Sequence, residues 1–182
     1  MTHPRLSPAV LAAVTALLLY ISAVVAVAAP PFTAIVVKVA DGDSYTMQRR
    51  PDAPKERIRL HWADAPEVAR SKRGKPQPGG EAARDFAAKL LLGKEVALVS
   101  RGRSYDRVVA DVTVGGTDIA TELVRNGWAM CDTKYHPPKS LIDAQAEAKQ
   151  HRKGIWSSAG EPTAPWVWRQ QQRNRIIEPR RN

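Results

Sequence analysis

Five short segments with the composition of β-strands require a fold that contains β-sheet. The first, residues 32–40, is rich in β-branched residues and ends at Asp41-Gly42-Asp43, a typical turn sequence. Residues 57–62 alternate strictly between polar and apolar side chains, which places Arg59 on the polar face of its strand. The other three predicted strands cover residues 44–49, 95–100 and 107–114.

Three segments with helical spacing accompany these strands. They cover residues 81–92, 117–126 and 140–152, and a glycine follows each of them closely. Five strands and three helices predict an α+β domain, and 182 residues are enough for one such domain with extensions. Beyond Ser158 the composition shifts to Pro, Gln and Arg, so residues 159–182 are predicted to form a basic, partly ordered tail.

The chain is strongly basic, with 28 Lys and Arg against 18 Asp and Glu and a formal charge of +10. Such a surface attracts polyanions, and composition alone leaves both nucleic acid and anionic membrane open as partners. Cys131 is the single cysteine, which excludes an intramolecular disulfide. We interpret it as a small core residue.

The N-terminus has the pattern of an export signal. His3 and Arg5 precede an apolar run without charge over residues 10–29, and Ala26-Val27-Ala28 fits the small-x-small sequence before a signal-peptidase site. Residues 1–28 are therefore expected to be a signal peptide that directs the protein to the periplasm or out of the cell. The run is also long enough to span a bilayer, so a signal anchor that tethers the protein to a membrane through residues 10–29 is the alternative.

Acidic residues stand at the ends of two predicted strands. Asp43 lies in the turn after the first strand, and Asp64-Ala65-Pro66-Glu67 follows the third. Because strand ends hold side chains in place, Asp43 and Asp64 are candidates to bind a hard cation through oxygen, which suits Ca²⁺ or Mg²⁺ and not zinc. Each motif also has a structural explanation, as a turn or as a cap. The half-buried Arg59 favours a functional explanation of these motifs, since a half-buried arginine needs an anionic partner.

Taken together, these segments resemble the staphylococcal-nuclease-like, or thermonuclease, family. The similarity covers residues 35–156 and rests on VADGDSYTM, RIRLHWADAPE, GGEAARDFAAKLL, SYDRVVADV, ELVRNGWA and a terminal helix ending at KGIW, in that order. The resemblance implies a five-stranded oligonucleotide-binding (OB) barrel with three helices over residues 32–158. This fold agrees with the elements counted from periodicity.

The resemblance also implies a calcium site. Asp43 and Asp64 would bind Ca²⁺ through their carboxylates, and Ala65 would offer its backbone carbonyl. Asp41 would support the site through water.

Catalytic and substrate-binding residues follow from the same resemblance. Glu67 would orient or deprotonate the attacking water, while Arg59 and Arg107 would clamp the phosphate and its transition state. Tyr105 and Tyr135 would hold the terminal phosphate of the substrate. The implied reaction is Ca²⁺-dependent endonucleolytic cleavage of DNA and RNA at the 5′ P–O bond, with 3′-phosphate products.

Asp106 departs from the family pattern, which usually has glycine beside the arginine. Pairing of its carboxylate with Arg107 would compete with phosphate, but neighbouring residues of a strand point to opposite faces, so we expect little interference.

Aromatic and basic residues outside the motifs suggest a preference for single-stranded or frayed nucleic acid. Trp156, Trp166 and Trp168 could stack on bases, and the basic loop of residues 70–75 could attract phosphates. The simpler interpretation is that Trp156 anchors the last helix in the core and that the loop is solvated.

A noncatalytic OB-fold nucleic-acid-binding module, exported or membrane-tethered, is the alternative to an enzyme. Such a module would be expected to lack at least one of five ionisable residues that are all present here, namely Arg59, Glu67, Arg107, Asp43 and Asp64. The sequence therefore favours an exported, monomeric nuclease.

Overall fold

The structure, a computed structural model, describes residues 31–69 and 75–177. The predicted signal segment of residues 1–28 lies outside the described residues, as do residues 70–74 of the basic loop. From Pro31 onward the described residues belong to one compact unit. Among the helices described there, none combines the length and the hydropathy that a membrane span needs.

Six strands lie in the described part of the chain. They are β1 (Phe32–Val39), β2 (Ser44–Gln48), β3 (Glu56–Leu60), β4 (Glu95–Ser104), β5 (Arg107–Val114) and the two-residue β6 (Thr117–Asp118). Antiparallel pairs join β1 to β2, β2 to β3, β1 to β4 and β4 to β5. The parallel pair of β3 and β5 closes these five strands into the predicted barrel.

The pairing of β3 with β5 determines which arginines share a face. Ile58 and Leu60 are buried in the barrel, and the alternating residues Arg57 and Arg59 point outward, as the pattern predicts. In the parallel register Arg57 lies beside Arg107, and Arg59 lies beside Val109. Arg59 and Arg107 therefore extend from the same outer face of neighbouring strands.

Four α-helices are present in the same described part, one more than predicted. They are α1 (Gly80–Leu91), α2 (Ile119–Arg125), α3 (Lys139–Gln150) and α4 (Pro165–Ile177), with short 3₁₀ turns at Thr133–Tyr135 and Gly154–Ser157. The first three lie where the sequence predicts helices.

Helix α4 lies within the segment predicted as a partly ordered tail and gives Pro165–Ile177 a regular structure. The low apolar content of residues 159–182 suggested that this segment has little to bury. Trp166 nevertheless packs against a small cluster that contains Ile155 and Trp156, and the latter is buried, as the core interpretation predicted. This contact anchors the start of α4 on the body of the protein. The end of the barrel domain at residue 158 stays a prediction.

Candidate active site

The acidic turn after β1 is held inside the protein. Asp41 is 6% exposed and Asp43 is 2% exposed. The Asp43 N–H donates to Asp41 Oδ1 over 3.2 Å, and the hydroxyl of Tyr45 donates to the carbonyl of Gly42 over 2.6 Å. A Cβ on Gly42 would lie 2.6 Å from the Cβ of Ala65, so glycine is needed there. The turn therefore packs tightly against the segment that follows β3.

Arg59 bridges the two aspartates that the sequence proposed as metal ligands. Its Nη1 donates to Asp43 Oδ1 over 3.1 Å, and its Nη2 donates to Asp64 Oδ1 over 2.9 Å. The N–H of Ala65 donates to the other Asp43 oxygen over 2.9 Å. Backbone hydrogen bonds in both directions with Met130 hold Asp64 in place. The structure thus brings Asp43 and Asp64 together, although they lie on different turns.

Arg107 and Glu67 lie in the same cleft as these groups. The cleft has a volume of about 630 Å³, and its lining includes Arg59, Asp64, Glu67 and Arg107. Arg107 Nη1 donates to the Ser44 hydroxyl over 3.4 Å, and this hydroxyl donates to Asp43 Oδ1 over 2.9 Å. Ser44 therefore links Arg107 to the buried acidic turn.

Asp106 is directed away from the cleft. Its Oδ2 accepts a hydrogen bond from Arg57 Nη1 over 2.6 Å, in an exposed ion pair. Arg107 lines the cleft while Asp106 does not, so the pairing of Asp106 with Arg57 leaves Arg107 at the site. Whether the two neighbours face opposite sides stays a prediction.

The two candidate tyrosines have different positions. Tyr135 lines the cleft, with 61% of its surface exposed. Tyr105 is 94% exposed in the β4–β5 turn, has a φ of 56°, and lies outside the cleft lining. The structure therefore places Tyr135 at the site and leaves the predicted phosphate contact of Tyr105 a prediction.

Arg169 of α4 is a residue of this site that the sequence analysis missed. Its Nη1 donates to Asp64 Oδ1 and to Glu67 Oε1, each over 2.8 Å, and its Nη2 donates to Asp64 Oδ2 over 2.6 Å. A local signal was present: Pro165 is a common first residue of a helix, and Trp166 and Arg169 have helical spacing. The side chain lies over catalytic candidates that are more than a hundred positions away in the chain.

Gln77, also missed, fixes the backbone of Glu67. The N–H of Glu67 donates to Gln77 Oε1 over 3.2 Å, and the N–H of Gln77 donates to the Glu67 carbonyl over 2.8 Å. Gln77 Nε2 also donates to the Thr163 carbonyl over 2.6 Å. On the other side, a Cβ on Gly80 would overlap the Glu67 carbonyl oxygen. Buried Gln77 and close-packed Gly80 therefore hold Glu67 between α1 and the segment before α4.

The electrostatics of the two aspartates differ. Burial raises the pKa of Asp43 well above its usual value, and Arg59 offsets this only in part. Burial also acts to raise the pKa of Asp64, but hydrogen bonds and charge from Arg169 and Arg59 outweigh it and leave this pKa lowered. Burial therefore dominates the pKa of Asp43, whereas the arginine partners together outweigh burial at Asp64.

A ready-made cluster of metal ligands is not seen in residues 31–69 and 75–177, where no three His, Cys, Asp or Glu side chains converge in a suitable way. Asp43 Oδ1 and both oxygens of Asp64 instead accept hydrogen bonds from arginines.

Known proteins are similar to this chain over much of its length. Residues 57–158 match the family model described as staphylococcal nuclease homologue, a span that contains Arg59, Asp64, Glu67 and Arg107. An uncharacterized endonuclease of Escherichia coli is 35% identical over 136 residues, which are 74% of this chain and 82% of that protein. An uncharacterized endonuclease of Haemophilus influenzae is 29% identical over 160 residues, which are 87% of this chain and 85% of that protein.

A plant relative is longer. A probable staphylococcal-like nuclease of Oryza sativa subsp. japonica is 33% identical over 123 residues, which are 67% of this chain but only 30% of that protein. The family match covers more than half of the present chain, the Escherichia coli relative is matched over most of its length, and the closed barrel is the expected fold. This chain therefore belongs to the staphylococcal nuclease homologue family.

Proposed function

We propose that this protein is a Ca²⁺-dependent endonuclease that hydrolyses phosphodiester bonds of DNA and RNA. Family membership and relatives named as endonucleases support the nuclease class. The observation that carries the proposal is the convergence of two arginines and two acids on one cleft, namely Arg59, Arg107, Asp64 and Glu67. The net charge of +10 suits a polyanionic substrate.

The donor set fits a hard divalent cation. A single guanidinium, that of Arg59, reaches oxygens of both Asp43 and Asp64, so the two carboxylates already share one positive charge. The Ala65 carbonyl would add a third oxygen, and water would complete the shell that Ca²⁺ prefers. When bound, the cation supplies Lewis-acid stabilisation of the charge that develops on the phosphate.

Glu67 is the proposed general base. Hydrolysis forms a bond between a water oxygen and phosphorus, while the bond from phosphorus to the 5′-oxygen breaks. Glu67 takes the proton of the attacking water, and the departing 5′-oxygen takes up a proton from solvent, which leaves a 3′-phosphate and a 5′-hydroxyl. The backbone of Glu67 is held by Gln77 and Gly80, so the Glu67 carboxylate has a defined position before the reaction.

Arg59 and Arg107 are the proposed phosphate clamp. Both extend from the same outer face of β3 and β5, and both line the cleft. A guanidinium offers two parallel donors to phosphate oxygens. Its electrostatic attraction to the phosphate is stronger where solvent is partly excluded.

The lining of the cleft also supports a preference for unpaired bases. Trp62, Tyr135 and Trp166 all line it. Aromatic faces stack on bases of any sequence, and a base must leave its pair to reach them. We therefore propose single-stranded or frayed nucleic acid as the substrate, hydrolysed by an exported monomer whose residues 1–28 are a signal peptide or, if uncleaved, a membrane tether.

An assay of denatured DNA and of RNA with and without Ca²⁺ tests the proposal. Hydrolysis should require Ca²⁺, stop on addition of a chelator and resume when excess Ca²⁺ is restored. Glu67→Gln should lower kcat by about 100-fold or more, because a positioned base typically contributes that much. The exposed Glu81→Gln variant on α1 provides a control with the same charge change and should keep full activity.

Two results would count against the proposal. Unchanged turnover of Glu67→Gln would remove Glu67 from the mechanism. Oligonucleotide binding by the wild-type protein without Ca²⁺-dependent hydrolysis of DNA or RNA would identify the noncatalytic module instead.

A further inference from the structure

We propose that Arg169 is a built-in competitor for the divalent cation: its guanidinium contacts Asp64 and Glu67 and must leave Asp64 before the cation binds. This inference rests on the proposed Ca²⁺ dependence and adds a residue of α4 that controls access to the metal site. Arg169 lies beyond the span of residues 57–158 that matches the family model.

Arg169 contacts the two carboxylates in the way a bound cation would. Its two terminal nitrogens reach both oxygens of Asp64 and one oxygen of Glu67, over 2.6 to 2.8 Å. Hydrogen bonds of this length between charged groups are among the stronger ones in proteins. A single guanidinium thus engages both the proposed metal ligand and the proposed general base.

Electrostatics makes Arg169 and a metal ion alternatives at Asp64. The Asp64 carboxylate already accepts hydrogen bonds from Arg59 and Arg169, and its side chain is only 14% exposed. A doubly charged cation on the same oxygens would face two guanidinium groups at short range in a site with little solvent screening. The Arg59 side chain is 20% exposed and that of Arg169 is 33% exposed, so Arg169 is the arginine that solvent reaches more easily and that can leave.

The position of α4 gives Arg169 a high effective concentration at the site. The start of the helix is anchored where Trp166 packs against the Ile155 and Trp156 cluster, and the Thr163 carbonyl accepts from Gln77. The Arg169 side chain itself is 33% exposed. A tethered group of this kind competes intramolecularly, so it raises the concentration of free cation that the site requires. Its contact with Glu67 also keeps the proposed base occupied until the cation arrives.

Calorimetric titration of Ca²⁺ into the full-length protein tests this without relying on activity. Arg169→Gln should tighten Ca²⁺ binding by about tenfold, on the scale of one charge-assisted contact. In chelator, the same variant should unfold at a lower temperature than wild type. Added Ca²⁺ should raise its unfolding temperature by more than it raises that of wild type. Arg173→Gln, an exposed arginine one turn further along α4, should match wild type in both measurements.

The outcomes separate this inference from the proposed function. Failure of both wild type and Arg169→Gln to bind Ca²⁺ would overturn the proposed metal dependence and this inference with it. Binding that is equal or weaker in Arg169→Gln would overturn the competitor role and leave the calcium site intact. Asp64→Asn should abolish binding, and binding that survives this change would place the cation elsewhere and also refute the competition.

Discussion

Arg59 Nη1 lies 3.1 Å from Asp43 Oδ1 in an ion pair that solvent hardly reaches, since the two side chains are 20% and 3% exposed. The pair joins the outer face of β3 to the turn that follows β1. Ser44 and Ala65 donate to the same carboxylate, so its oxygens are satisfied even without a bound cation. Arg59 therefore stabilises the fold of the acidic turn in addition to its proposed contact with phosphate.

Removal of Arg59 should destabilise the metal-free protein. Arg59→Ala leaves Asp43 buried without its nearest cation, which typically costs roughly 3 kcal/mol or more for a buried pair. Urea unfolding in chelator measures this loss, and added Ca²⁺ should recover part of it. Arg57→Ala is the matched control on the same face of β3: its partner Asp106 is exposed, so the loss should stay below about 1 kcal/mol. Equal losses for the two variants would contradict a structural role for the buried pair.

Replacement of Arg107 should affect hydrolysis far more than folding. Arg107→Lys keeps the charge but removes the forked donor pair, and loss of a positioned donor to the transition state typically lowers kcat by about 100-fold. The measurement is kcat on denatured DNA at saturating Ca²⁺. Asp106→Asn, at the neighbouring position, should leave kcat within about threefold because its carboxylate pairs with Arg57 outside the cleft. A large effect of Asp106→Asn would show that this carboxylate acts on Arg107 after all.

A methyl group at Gly80 should disturb Glu67 without touching its side chain. In Gly80→Ala the new Cβ would overlap the Glu67 carbonyl, so this backbone must shift. We expect kcat to fall by about tenfold or more, since catalytic groups tolerate little misplacement. Circular dichroism should still report a folded barrel. Glu81→Ala, one residue further along α1 and exposed, controls for changes in the helix start and should keep its activity.

Cys131 should be almost unreactive in the folded protein. It is 2% exposed in the core, as the sequence predicted, and burial raises the pKa of its thiol. The thiolate is the reactive form, so a raised pKa leaves less of it at neutral pH, and burial also blocks the reagent. Labelling of Cys131 with a disulfide reagent that releases a coloured thiolate should be slow in native protein and rapid and complete in denaturant. Fast labelling under native conditions would mean that the region around Cys131 opens readily.

Local patterns in the sequence were sufficient for most of the strands and helices and for part of the site, whereas the barrel was implied by the family resemblance. Strict alternation in residues 57–62 placed Arg59 on the polar face, and the structure has it there. Asp43 and Asp64 were predictable neighbours because both follow strands and belong to motifs with a recognisable order. Tyr105 shows the limit of the same reasoning, because the position of a turn residue depends on the bend of its hairpin, here with a φ of 56°.

Composition and periodicity determined that this chain forms strands and helices of an α+β domain, and the ordered motifs, through their resemblance to a known family, implied the five-stranded barrel and an acidic and basic set typical of phosphodiester chemistry. Only the tertiary structure decided that Arg169 enters the site and that Gln77 links the backbone of Glu67 to Thr163, in the segment before α4. Arg169 is 105 positions from Asp64, and Gln77 is 86 positions from Thr163. Periodicity reports which face of an element is buried, whereas a hydrogen bond between distant elements depends on how those elements pack, and no local pattern encodes that.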